Sequence, residues 1–152
     1  MGYGNIGKKV EKIAQSYGLS TIIYDKVICN TKNQVSLDEI YKRSDIISVN
    51  LPLNEETKNI IDKTAIEKMK DGVIIVNTAR GGLIVDEDLA KALNTGKVYG
   101  AGLDVISKEP IKMDNPLLEC ENIIITPHIA WASVEARSRL LETGYENLKK
   151  FI

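Results

Sequence analysis

Arg80, Glu109 and His128 are the residues of this sequence best suited to do chemistry, and each comes after a run rich in β-branched residues. Arg80 follows Val73 to Val76, Glu109 follows Val98 to Leu103, and His128 follows Ile123 to Ile125. In an open parallel sheet the carboxyl ends of the strands form one edge, and ligands bind along it. A guanidinium, a carboxylate and the chain's one imidazole are therefore expected to meet in one crevice. That set suits reduction of a keto acid. Arg80 would clamp a substrate carboxylate, and His128 would give a proton to the carbonyl oxygen. Glu109 would orient the imidazole and favour its charged form. Each residue also has an ordinary explanation: a surface ion pair for Arg80, turn chemistry before Pro110 for Glu109, a strand-end cap for Asp104, a plain loop at Thr126-Pro127, a structural role for a lone histidine. Their joint placement at one sheet edge favours the chemical reading. Gly81 and Gly82, next to Arg80, predict close backbone approach by a bound molecule.

The elements that must hold these residues alternate along the chain. Apolar runs at 21–24, 46–49, 73–76, 98–105 and 123–125 predict strands buried on both faces, the pattern of a parallel sheet. Residues 5–17 predict a helix with Ile6, Val10, Ile13, Ala14 and Tyr17 on one face. Ser36-Leu37-Asp38-Glu39 is a capping box that opens a short helix to Arg43. Asp86-Glu87-Asp88-Leu89 opens another, closed by Gly96, and a last helix runs from about 133 to 151. Strand and helix alternating in this way predict a doubly wound α/β fold.

Gly2-Tyr3-Gly4-Asn5-Ile6-Gly7 fits G-x-G-x-x-G and runs straight into the first helix. In that motif Gly2 makes the tight turn, Gly4 lets a pyrophosphate approach the backbone, and Gly7 lets the helix pack closely. Free amides at the helix N-terminus face the phosphates. Asp25, at the end of the next apolar run, stands near the distance at which an acid receives the ribose hydroxyls. Its charge repels a 2′-phosphate, so NAD is the expected cofactor rather than NADP. Lys26 works against that preference, since a cation tolerates the phosphate.

A chain of 152 residues can bury one domain's core. A net charge of −1 gives no electrostatic case for nucleic acid or a membrane surface. Cys29 and Cys120 lack any metal-ligand pattern, and no metal is expected; two free thiols fit a reducing compartment. No run approaches a membrane span, and no basic-then-apolar leader opens the sequence. A cytoplasmic domain is expected.

With these residues in order, the chain resembles the D-isomer-specific 2-hydroxyacid dehydrogenases along its whole length. The resemblance rests on the Gly2 to Gly7 loop, Asp25, Leu51-Pro52-Leu53 with Thr57, and Lys68 to Gly72. It continues through Asn77 to Gly82, Gly100 to Val105, Glu109-Pro110 and Thr126-Pro127-His128. It implies a Rossmann-type NAD-binding domain with His128 as acid/base, Glu109 as its partner and Arg80 as substrate anchor. It further implies that Thr78, Ala79 and Asp104 meet the nicotinamide half of NAD. Leu51, Pro52 and Thr57 would lie near the adenosine, and Asn5 and Ile6 would offer amides to the pyrophosphate. His128-Ile129-Ala130-Trp131 is most similar to the glycerate dehydrogenase or hydroxypyruvate reductase branch. The implied partners are a small 2-keto or 2-hydroxy acid and, for the full-length protein, a second copy in a homodimer.

Family members carry a substrate domain and a first strand ahead of the glycine loop, whereas here Met1 directly precedes Gly2. The expectation is a domain truncated before its first strand, with an unfilled slot between the runs ending at Asp25 and Asn50. The alternative function is an NAD(H)-binding module, or a fragment without turnover because the substrate domain is missing.

Overall fold

Four parallel strands form the frame of the computed structural model, which describes residues 1–152. They are β1 (Ile46–Val49), β2 (Val73–Asn77), β3 (Val98–Leu103) and β4 (Ile123–Ile125), adjacent in that order. Five α-helices accompany them: α1 (Asn5–Ser16), α2 (Leu37–Arg43), α3 (Lys63–Lys68), α4 (Asp86–Asn94) and α5 (Val134–Phe151). The strands pair in steady register, with Ile47 opposite Ile75, Ile75 opposite Ala101 and Ala101 opposite Ile123. Every other side chain on β1 and β2 points to one face, where Val49, Val73 and Ile75 are fully enclosed with Leu83, Leu89 and Leu93. This is the α/β parallel sheet that the sequence pattern predicts.

The helices begin where the sequence places their caps. The Ser36 hydroxyl accepts the Glu39 amide at 3.3 Å while the Glu39 carboxylate accepts the Ser36 amide at 3.1 Å, completing the capping box of α2. Asp86, Glu87 and Asp88 load the first turn of α4 with negative charge, which suits the helix dipole, and Gly96 follows at φ 77°. One helix was not expected. In α3 the Asp62 carboxylate caps the Ala65 amide at 2.8 Å, a signal present in Asp62-Lys63-Thr64-Ala65 but masked by the brevity of the element.

Three expectations need correction. The apolar run at 21–24 is not a ladder strand: only Ile23 makes a bridge, parallel to Gln34. Burial on both faces fails at the sheet margins, where Ile46 and Ile124 on the outer strands β1 and β4 have a neighbouring strand on one side only and are exposed. The expected apolar face of α1 is likewise open, with Ile6, Ile13 and Tyr17 exposed and only Val10 and Ala14 half-buried.

The slot between the 21–24 run and β1 is partly occupied. The Gly2 amide donates to the Tyr24 carbonyl at 2.8 Å, and the Asn50 amide donates to the Met1 carbonyl at 2.8 Å. Met1 and Gly2 thus stand between the two runs as strand residues would. Beyond them a cleft of about 360 Å³ remains, bordered by Ile22, Ile23, Ile47, Val10 and Ala14.

The loops at the carboxyl edge fit against one another without slack. A Cβ on Gly81 would lie 1.9 Å from the Ile106 carbonyl oxygen, so the loop after β2 packs backbone to backbone on the loop after β3. Gly81→Ala is therefore expected to lower stability by about 1–3 kcal/mol, read as a drop in thermal midpoint. An unchanged midpoint would mean that the two loops are not in contact.

Candidate active site and cofactor cradle

The imidazole and the carboxylate do meet. His128 Nδ1 lies 2.8 Å from Glu109 Oε2, and both side chains stay about two-fifths exposed to solvent. The other Glu109 oxygen accepts the Ile106 amide at 3.3 Å, which fixes the carboxylate's orientation. The hydrogen bond from His128 is the main cause holding the Glu109 carboxyl below the usual carboxylate range.

His128 reaches this position through an unusual backbone. Its φ is 55°, the left-handed region that few residues other than glycine adopt. Asp104 holds the turn. This residue is almost fully buried at the end of β3, and it accepts the Thr126 hydroxyl, the Ile129 amide at 2.9 Å and the Ala130 amide at 2.8 Å. Burial pushes the Asp104 carboxyl up, but these hydrogen bonds outweigh it and leave the group below the usual range. The Trp131 indole closes the turn by donating to the His128 carbonyl at 2.9 Å. Neither this clamp nor the indole contact was read from the sequence, where Asp104 stood only for a strand cap or a cofactor contact.

Arg80 sits on the neighbouring loop, exposed, with its guanidinium donating to the Ala79 carbonyl at 2.6 Å and no carboxylate of the chain paired with it. Asn77, fully buried at the end of β2, shapes that loop. Its side chain donates to the Arg80 carbonyl at 3.0 Å and accepts the Ala79 amide at 3.0 Å. Gly81 and Gly82 do not leave room for a bound molecule as expected: Gly81 faces the Ile106 carbonyl and Gly82 faces the Leu53 side chain. Thr78 is exposed beside them and, with Asp104, Thr126 and Ala130, borders a hollow of about 310 Å³ at the strand ends.

The glycine loop has the features a pyrophosphate needs. Gly2 has φ 85°, and a Cβ there would lie 2.5 Å from the Asn50 carbonyl oxygen. On Gly7 a Cβ would fall 2.1 Å from the Gly2 carbonyl oxygen, so this glycine closes α1 onto the loop itself. Gly4 differs: nothing lies within 4 Å of its Cβ position. It opens α1 with no side-chain cap and no acid in the first turn, leaving the Asn5 and Ile6 amides available to an anion. Asp25 accepts the Tyr3 amide at 2.7 Å through one oxygen and the Val27 amide at 3.0 Å through the other, and each oxygen keeps capacity for a hydroxyl. The residues present therefore fit a dinucleotide.

The segment expected near the adenosine divides. Leu51 is buried in the core, so only its backbone is open to a ligand, whereas Pro52 is exposed. The Thr57 hydroxyl donates to the Pro52 carbonyl at 2.6 Å and so organises the loop. No group of three or more His, Cys, Asp or Glu lies together as a metal site would require.

An open glycine loop, the Asp25 carboxylate and a His–Glu pair along one sheet edge define a domain suited to a dinucleotide. Residues 1–130 match the family model for the D-isomer specific 2-hydroxyacid dehydrogenase, NAD binding domain, and the chain belongs to that family. It is 51% identical to a hydroxypyruvate reductase of Blautia hydrogenotrophica, over 100% of this chain and 49% of that protein. With the hydroxypyruvate reductase of Thermotoga maritima it shares 46% identity over 99% of this chain and 50% of that one. Among solved structures, a D-lactate dehydrogenase from Aquifex aeolicus complexed with NAD and lactic acid superposes with a TM-score of 0.90 at 35% identity. The match covers 99% of this chain and 51% of that one. An acyclic imino acid reductase in complex with NADPH and D-Arg gives 0.92 at 35% identity, over 99% and 48%. The chain spans about half the length of the curated relatives it matches.

Replacing Asp104 with Asn puts an amide N–H against a backbone N–H in a closed site. The expected cost is about 1–3 kcal/mol, together with faster hydrogen exchange at the Ile129 and Ala130 amides. Exchange as slow as in the parent would remove Asp104 as the clamp. The Glu109 titration gives a second check. A depressed folded-state pKa means that the pair's contribution to stability is present above the ordinary glutamate pKa and is lost as pH falls through the lowered value. In His128→Ala the Glu109 midpoint, followed by carboxyl carbon NMR, should move up towards that of a free glutamate. A midpoint equal in both proteins would contradict the pairing.

Proposed function

We propose that this chain is the cofactor-binding and proton-donating part of an NAD-dependent oxidoreductase that reduces a small 2-keto acid, hydroxypyruvate or a close analogue, to the D-2-hydroxy acid. The observation that carries the proposal is the 2.8 Å His128–Glu109 pair on the sheet edge that also bears the open Gly4 turn and unpaired Arg80. Names of the relatives support the substrate class, since both curated relatives described above are hydroxypyruvate reductases.

The Asn5 and Ile6 amides would hold the pyrophosphate, Asp25 the ribose, and Thr78, Ala79 and Asp104 the nicotinamide half. When bound, NADH supplies the hydride that reduces the carbonyl carbon. With Nδ1 engaged by Glu109, His128 keeps Nε2 for the substrate, and its proton moves from Nε2 to the carbonyl oxygen. Arg80 exchanges its hydrogen bond to Ala79 for the substrate carboxylate, a charge-assisted contact of greater strength. Glu109 stabilises the imidazolium before transfer and orients the ring throughout. Solvent reaches the half-exposed His128 and restores its proton.

The same reading has the protein working as a homodimer in the cytoplasm. Its support is the pair of free thiols, Cys29 and Cys120, and the exposed Leu140, Leu141 and Leu148 of α5, no residue of which is buried. No helix is long and apolar enough to cross a membrane.

In the full-length gene product, His128→Ala is expected to lower the turnover of hydroxypyruvate with NADH by on the order of a hundredfold or more while leaving NADH binding intact. Near-normal turnover would exclude His128 as the proton donor. NADH binding without turnover of hydroxypyruvate or glyoxylate by the unmodified protein would favour an NAD(H)-binding module instead.

A further inference from the structure

We propose that Glu56 is a determinant of cofactor choice: by holding Lys26 in an ion pair, it denies the 2′-phosphate of NADP a cation and adds a second carboxylate beside Asp25. The proposal rests on the reading of Asp25 as the ribose acceptor.

The glycine loop lies between two outgoing segments. The Gly2 amide is bonded to the Tyr24 carbonyl on one side, and the Met1 carbonyl receives the Asn50 amide on the other. Asp25 and Lys26 continue the first segment, and Leu51 to Glu56 continue the second. Lys26 Nζ joins them, 2.6 Å from both Oε1 and Oε2 of Glu56. The pair therefore links the two walls that flank the glycine loop, one residue beyond Asp25.

Glu56 is carried on a built loop. The Asn54 side chain accepts the Glu56 amide at 3.1 Å and the Thr57 amide at 3.0 Å, and the Thr57 hydroxyl fastens the loop to the Pro52 carbonyl at 2.6 Å. Lys26 and Glu56 are about three-quarters and three-fifths exposed, so their pairing adds little to the stability of the fold. Its effect falls on a charged ligand. Asp25, Lys26 and Glu56 together carry one net negative charge, and the only cation among them is already engaged. A 2′-phosphate, itself close to doubly negative, is repelled; a 2′-hydroxyl is not. Without the Glu56 charge the three positions would sum to zero, and Lys26 would be free to meet the phosphate.

The test is fluorescence titration of NADH and NADPH into the full-length gene product and its variants. Glu56→Gln should tighten NADPH about tenfold, the effect of one close charge contact at a partly screened site, with NADH changed by less than about threefold. The gain should shrink at high salt and vanish in Glu56→Gln with Lys26→Ala. An NADPH affinity unchanged in Glu56→Gln, or a gain that persists without Lys26, overturns the proposal. Asp25→Ala serves as the control on the underlying reading. If it narrows the gap between the two cofactors while Glu56→Gln does nothing, only the Glu56 proposal fails. If it leaves both affinities unchanged, the ribose reading fails and this proposal with it.

Discussion

The buried carboxylate of Asp104 is the constraint on which the active edge depends. It stands at the end of β3, where its own amide donates to the Asn77 carbonyl at the end of β2, and its side chain gathers the turn that follows β4. Three strand ends are thereby joined. A buried anion is costly unless its lone pairs are satisfied, and here one hydroxyl and two amides satisfy them. Those donors all come from Thr126 to Ala130, so satisfying the charge also folds the turn that lifts His128 into its left-handed conformation. Folding and the placement of the imidazole are one event.

The second half of the edge is organised by close backbone approach. Gly2 and Gly7 are compelled by neighbouring carbonyl oxygens, whereas Gly4 faces empty space. The contrast separates glycines required by the protein from the one left available to a ligand. Gly81 belongs with the first kind, because it lets the Arg80 loop lie on the loop that leads to Glu109. Arg80, Glu109 and His128 are thus carried on loops that brace each other, through Gly81 against Ile106, Ile106 with Glu109, and Glu109 with His128.

Much of this was legible in the sequence because it depends on local pattern. Runs of Ile and Val gave away β1 to β4, the Ser36–Glu39 box marked α2, and the spacing of Gly2, Gly4 and Gly7 marked the tight turn that opens α1. The His128–Glu109 pair was legible for a different reason: both residues follow strands of one parallel sheet, and topology brings such ends together. What escaped depends on pairing across distance. The run at 21–24 has strand composition, but a strand needs a partner along its length, and only Ile23 finds one. The Asp104 clamp joins residues 22 to 26 positions apart, and nothing local in Leu103-Asp104-Val105 announces it. The Gly81 contact with Ile106 is equally non-local, so its glycine was read as space for a ligand.

On the proposed function, one sheet edge holds both the dinucleotide and the proton donor. Backbone amide shifts during titration of NADH into isotopically labelled protein test it most directly. The large changes should fall on Gly4, Asn5, Ile6, Thr78, Ala79 and the turn from His128 to Ala130, with α3 on the buried side of the sheet unmoved. Changes centred away from the glycine loop, or changes at the loop that never reach the His128 turn at saturation, would contradict it.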